Sequence, residues 1–106
     1  MNKSEIGAYY YHYKHDQNGP VNGYAYEIIN IAHHTEVDGL EESAMVIYAP
    51  LYEAAVYKMG KHWDARPLEM FMEEVEKDGK KFPRFTKITN QDITDQLDQI
   101  KKEMYS

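Results

Sequence analysis

Residues 24–34 read YAYEIINIAHH, and the alternation of their side chains decides the fold class. Aromatic and β-branched residues dominate the stretch, which favours an extended strand. In a strand Tyr24, Tyr26 and Ile28 share one face, and Ala25, Glu27, Ile29 and Ile31 share the other. Apolar residues fall on both sides, so both faces are expected to be partly covered, as in a small barrel. Upstream, residues 6–13 (IGAYYYHY) are a second aromatic-rich segment with strand propensity, and residues 15–23 (HDQNGPVNG) are full of turn formers. The pair reads as strand, loop, strand.

Downstream, residues 36–43 (EVDGLEES) form an acidic turn around Asp38-Gly39, and Ala44 to Tyr48 (AMVIY) is an apolar run too short for a stable helix. It reads as a buried strand. Pro50 interrupts the ladder, and residues 51–59 (LYEAAVYKM) read as irregular structure leading to a short strand near Trp63. Residues 67–79 (PLEMFMEEVEKDG) allow two structures. Leu68, Phe71, Met72 and Val75 lie at helical spacing behind Pro67, whereas Asp78-Gly79 is a hairpin signal. The expectation is a helical turn at 67–72 followed by a hairpin of 73–77 and 81–87. At the C-terminus Asn90 is placed to cap a helix over 91–104, in which Ile93, Leu97, Ile100 and Met104 form one stripe, with Asp92 and Asp95 early and Lys101 and Lys102 late. That stripe must be covered by the barrel or by a partner.

The expected architecture is therefore mostly β (β+α): a small SH3-like barrel of about five to six short strands over residues 6–88, with a helical turn and a C-terminal amphipathic helix. At 106 residues the chain suits a single domain over 1–106. No linker or repeat divides it.

Composition removes several functions. Lys and Arg total 12 against 18 Asp and Glu, a formal net charge of −6. Duplex nucleic acid, whose binding requires a basic face, is not an expected partner. Without cysteine there is no disulfide, thiolate nucleophile or Cys-bound metal. No stretch has the length of a membrane span, and the first residues lack a secretory build, so a cytoplasmic protein with no membrane partner is expected. The three serines, Ser4, Ser43 and Ser106, lie in no nucleophile elbow, and there is no glycine-rich phosphate loop. Ten of the 14 aromatic residues are tyrosine, and the mean hydropathy is −0.75. Much of any core must therefore carry hydroxyl groups.

Only two of the 12 cations are arginine, and both adjoin proline: Arg66-Pro67 and Pro83-Arg84. Proline restricts its neighbours, so these planar forks start from defined positions suited to a carboxylate or phosphate, unless acidic residues of the chain pair with them. His12-x-x-His15 and His33-His34-Thr35-Glu36 contain metal-ligating types, but adjacent and i,i+3 strand positions face opposite ways, so no metal site or cofactor is expected. His12 and His34 are possible proton carriers. Glu69, Glu73, Glu74 and Glu76 read as a solvated face. The aromatics fall into an early ladder of Tyr9, Tyr11 and Tyr13, which could fill a barrel or stack a ligand, and a later group of Tyr48, Tyr52, Tyr57 and Trp63.

The ordered motifs Tyr11-His12-Tyr13-Lys14, Tyr26-Glu27-Ile28, His34-Thr35-Glu36, Val46-Ile47-Tyr48, Leu51-Tyr52, Arg66-Pro67-x-x-Met70-Phe71 and Pro83-Arg84-Phe85 resemble the bacterial family called domain of unknown function 1653. The resemblance runs from about Gly7 to Ile88 and leaves the C-terminal helix outside. It implies a small, mostly β, cytoplasmic bacterial module of unassigned activity. Compared with compact members, the segments 15–23, 36–44 and 52–63 are longer. Within the matched motifs fall His12, His34, Glu36, Tyr48, Tyr52, Arg66 and Arg84.

The first functional expectation is a binding module, not an enzyme, for an anionic small molecule, nucleotide or acidic peptide. Arg66 and Arg84 would take the anion and Tyr48, Tyr52 or Trp63 would stack, with His12 nearby. The second is an acid–base enzyme in which His34 and Glu36 carry protons and Arg66 stabilises an oxyanion, which requires the three to converge. The third is a protein–protein interaction or homo-oligomerisation module using the tyrosine face or the helix stripe.

Overall fold

A computed structural model describes residues 5–39 and 42–106. Five strands form one antiparallel sheet: β1 (Tyr9–His12), β2 (Ala25–His33), β3 (Ala44–Pro50), β4 (Asp64–Pro67) and β7 (Phe85–Lys87), in the order β4-β3-β2-β1-β7. Between β3 and β4 lies α1 (Ala55–Lys58); between β4 and β7 come the turn α2 (Leu68–Phe71) and a two-stranded sheet of β5 (Glu74–Lys77) and β6 (Lys80–Pro83). The chain ends in α3 (Gln91–Met104).

The expected closed barrel does not form. β4 pairs only with β3 and β7 only with β1, so the five-stranded sheet is open with two edges. Closure is unnecessary because each face is covered by other parts of the chain. On one face α3 lays Leu97, fully buried, against Tyr9, Ala25, Leu51 and Ile88, with Ile93 and Ile100 packed alongside. The stripe of α3 is thus covered by its own sheet. Asn90 caps the helix, its Oδ1 accepting from the Ile93 N–H at 3.2 Å. On the opposite face Tyr10, Tyr26, Ile28, Val46 and Tyr48 pack with Phe71 of α2 and Phe85 of β7.

The ambiguous segment 67–79 resolves as a helical turn and a hairpin. Asp78 (φ 54°) and Gly79 (φ 77°) both occupy left-handed backbone between β5 and β6, the requirement of a two-residue type I′ turn. The expected strand 81–87 is divided, which raises the strand number among the described residues to seven. At the corner Arg84 donates its N–H to the Glu73 carbonyl (2.9 Å) and accepts from the Tyr13 N–H (2.8 Å), tying the hairpin to the main sheet.

The irregular alternation of β2 also has a structural cause. The register with β3 shifts between Ile28 and Asn30, leaving Ile29 as an extra residue. Beyond this bulge Ile31 lies opposite Val46 and packs against the aromatic layer, on the face of Ile28 and not on that of Glu27 as strict alternation predicts. Within the early tyrosine ladder, Tyr9 is buried under α3 with its hydroxyl donating to Asp98, and Tyr11 packs at the edge of the same cluster. The ladder is core. No helix among the described residues is long and apolar enough to cross a membrane.

Candidate functional site

The aromatic face of the sheet carries both arginines. Arg66 lies opposite Val46 in the β3–β4 ladder, so its side chain emerges on the Val46 and Tyr48 side. Its Nε–H donates to the Tyr48 hydroxyl at 3.2 Å, and its guanidinium carbon sits 5.5 Å from the centre of the Phe85 ring, within cation–π range. Among the described residues Arg66 has no carboxylate within ion-pair distance. Arg84, fixed at the corner between the two sheets, gives its Nη2 to Glu73 Oε1 at 2.9 Å, while its Nε–H is buried with no acceptor. Internal pairing thus holds one edge of Arg84 and, among the described residues, leaves Arg66 with no carboxylate at ion-pair distance.

His12 belongs to the same group. It pairs with Phe85 in the β1–β7 ladder, and its ring lies 5.1 Å from the Phe85 ring, edge to face, with Tyr13 at 4.4 Å and Tyr24 at 5.8 Å. Burial is the main reason its imidazole is held down to about pKa 4, helped by the positive charges of Arg66, Lys14 and Arg84. The ring is neutral at physiological pH, and its Nδ1 accepts from the Lys14 N–H at 3.2 Å. Asp64, at the start of β4, has its carboxyl raised above the ordinary aspartate value by burial, an effect that Arg66 opposes.

The wall around these charges is aromatic. Phe85 stacks on Phe71, with centroids 4.1 Å apart and planes 8° apart, and Tyr48 and Tyr26 meet Phe85 edge to face. Tyr26 and Tyr52 share a hydroxyl–hydroxyl hydrogen bond of 2.5 Å, and Tyr24 tilts over Tyr52 at 5.5 Å. Burial raises the pKa values of Tyr26, Tyr48 and Tyr52, so their hydroxyls stay protonated and can donate.

Of the residues singled out in the sequence, the structure brings together Arg66, Arg84, His12, Tyr48 and Tyr52. It does not bring His34 and Glu36 to them. Both are exposed in the β2–β3 connection, where the Glu36 N–H donates to His34 Nδ1 at 3.1 Å. The ladders place Arg66 two strands away from Ile31, and His34 lies three residues further on, a backbone separation of about 14 Å. Moreover Arg66 reaches toward Tyr48 and Phe85, away from that connection. Trp63 is also elsewhere: it is 52% exposed and lines a cavity beside Glu27 and Lys101, on the face that carries α3. Among the described residues no group of three or more His, Asp or Glu is arranged to hold a metal ion.

Tyr26, Phe85, Tyr24 and Asp64 join the site although residue chemistry alone does not single them out. The signal is positional. Tyr24 and Tyr26 alternate onto one face, Phe85 follows Arg84, and Asp64 is two residues from Arg66. Chemically, the arrangement offers two guanidinium groups beside a neutral imidazole and tyrosine hydroxyls, framed by ring faces and edges. The guanidinium groups can take an anionic group, and the exposed ring of Tyr24 can meet a planar one, Tyr26, Tyr48, Phe71 and Phe85 being buried.

The comparison with protein families matches the family described as a protein of unknown function (DUF1653) over residues 8–87, and the chain belongs to that family. The matched span contains both arginines, His12 and the whole aromatic layer, and it excludes α3. No curated protein and no solved structure matches the chain.

Proposed function

We propose that the face carrying Arg66 and Arg84 binds a small ligand that combines an anionic group, phosphate or carboxylate, with a planar ring, as a nucleotide does. The observation that carries this reading is the unmet donor capacity of the two arginines. Among the described residues the Arg66 fork has one hydroxyl acceptor and no carboxylate within ion-pair distance, and Arg84 Nε is buried without an acceptor. A buried donor without a partner costs about 1–3 kcal/mol, which a bound oxyanion would recover. The neighbouring imidazole supports the assignment, because a neutral ring adds no charge of its own and keeps apolar contact with Phe85. In this reading the chain is a binding module. What supports this over an acid–base enzyme is that His34 and Glu36 lie in the β2–β3 connection, away from Arg66.

A thermal-shift screen over nucleoside monophosphates, sugar phosphates and aryl carboxylates tests the proposal. A ligand present at about 100 times its Kd adds roughly 2.7 kcal/mol, a rise of about 10 °C for a domain of this size. The rise is expected to vanish in Arg66→Ala. Silence across all three classes, or a response that Arg66→Ala leaves unchanged, would overturn it.

A further inference from the structure

The opposite face of the sheet holds a separate cavity of about 320 Å³, bounded by Ile6, Glu27, Ile29, Ala49, Trp63 and Lys101. That volume lies at the lower end of the range for small-molecule sites. Its wall is mostly apolar, and two of its members, Ile6 and Trp63, are 41% and 52% exposed, an unusual cost for large apolar side chains on one rim. One charged group is built into the wall. Glu27 is 7% exposed, in the middle of β2, and its Oε2 takes the Lys101 ammonium at 2.6 Å. Lys101 itself is half in water, at 43% side-chain exposure.

We propose that this cavity is a second binding site, for a small organic ammonium with an aromatic body. The sign of the charge follows from what is fixed and what is mobile. The carboxylate is fixed by a buried strand, whereas the cation opposite it ends a flexible stem that water can reclaim. The cavity also adjoins the last turn of α3, whose dipole is negative at that end, in a chain of net charge −6. A ligand ammonium replaces the Lys101 ammonium on Glu27, so one charge-assisted hydrogen bond is exchanged for another and Lys101 returns to solvent. The gain comes from the ligand's ring, which fills the space against Ile29 and Ala49 and covers the Trp63 indole. An ammonium near that indole face adds a cation–π attraction. Lys101 lies outside the span matched by the family, so it acts as a local competitor that sets the affinity of this chain.

Trp63 is the sole tryptophan, so its fluorescence, excited at the red edge to avoid the ten tyrosines, reports on this cavity alone. Phenethylamine, 3-phenylpropionate and phenethyl alcohol share the same ring and differ in charge. Phenethylamine is expected to give a saturable change at millimolar concentration or below, with the alcohol weaker and the acid silent. Lys101→Met removes the competitor and keeps the stem, and is expected to tighten phenethylamine by about five-fold. Glu27→Gln is expected to weaken it by at least about ten-fold. Arg66→Ala, on the other face, is expected to leave the titration unchanged, which keeps this site distinguishable from the first. No saturable response to phenethylamine, tighter binding of the acid, or weaker amine binding in Lys101→Met would each overturn the proposal. The Lys101→Met arm decides the matter even if Glu27→Gln fails to fold.

Discussion

Acid titration of His12 examines whether the two arginines and the aromatic layer form one environment. The imidazole falls from an ordinary value of 6.5 to about 4, chiefly through burial and then through the charges of Arg66, Lys14 and Arg84. A base whose folded pKa is depressed stays neutral in the native state while the unfolded chain takes up a proton. Stability is therefore complete above about pH 6.5 and is lost progressively as pH falls toward 4. The full gap would be worth about 3 kcal/mol, and solvent screening at a half-buried ring reduces it to about 2 kcal/mol. Replacing His12 with Phe preserves the edge-to-face contact with Phe85 and removes the titration. Urea melts of both proteins between about pH 7 and pH 4 should diverge, with the wild type losing about 2 kcal/mol more than His12→Phe. NMR of the imidazole should show a midpoint well below 6 in the wild type, raised by Arg66→Ala but not restored fully, since burial remains the larger cause. An oxyanion bound between the arginines should raise it in the same way. Parallel melts, or a His12 midpoint near 6.5, would refute the convergence.

Two further predictions concern the frame that holds the site. Leu97→Ala removes a fully buried side chain from the interface between α3 and the sheet and should cost about 3 kcal/mol in urea denaturation; a loss below about 1 kcal/mol would show that α3 is not docked through this residue. At Gly79 (φ 77°) an added Cβ meets no atom within 4 Å, so Gly79→Ala should cost only the left-handed backbone strain, about 1 kcal/mol, with native circular dichroism retained.

Much of the frame is legible in the sequence because it depends on local chemistry. The Asn90 cap, the acid-to-base gradient and the stripe through Leu97 specify α3, and Asp78-Gly79 specifies the hairpin against the helical spacing that competes with it. Closure is not legible, because it depends on whether residues 64–67 meet residues 85–87, which no local pattern encodes. The same holds for the split at Arg84, where backbone bonds to Glu73 and Tyr13, distant in sequence, end one strand and start another. In the candidate site the proline-flanked arginines are legible, since the restricted backbone beside them is a local property. The grouping of Trp63 with Arg66 fails on parity: an odd offset of three along a strand already puts them on opposite faces. His34 and Glu36 have suitable chemistry, but the length of β2 carries them past the end of the ladder that Arg66 occupies.

The extra residue at Ile29 gives β2 two phases. Before it the even-numbered residues Tyr26 and Ile28 face the aromatic layer; after it the odd-numbered Ile31 does. A straight ladder can satisfy one half only by misplacing the other, either sending Ile31 away from that layer or driving the Glu27 carboxylate into it. Wrong alignments of β2 on β3 are thus penalised at both ends of the strand. The bulge works as an alignment key that admits one register of the central hairpin.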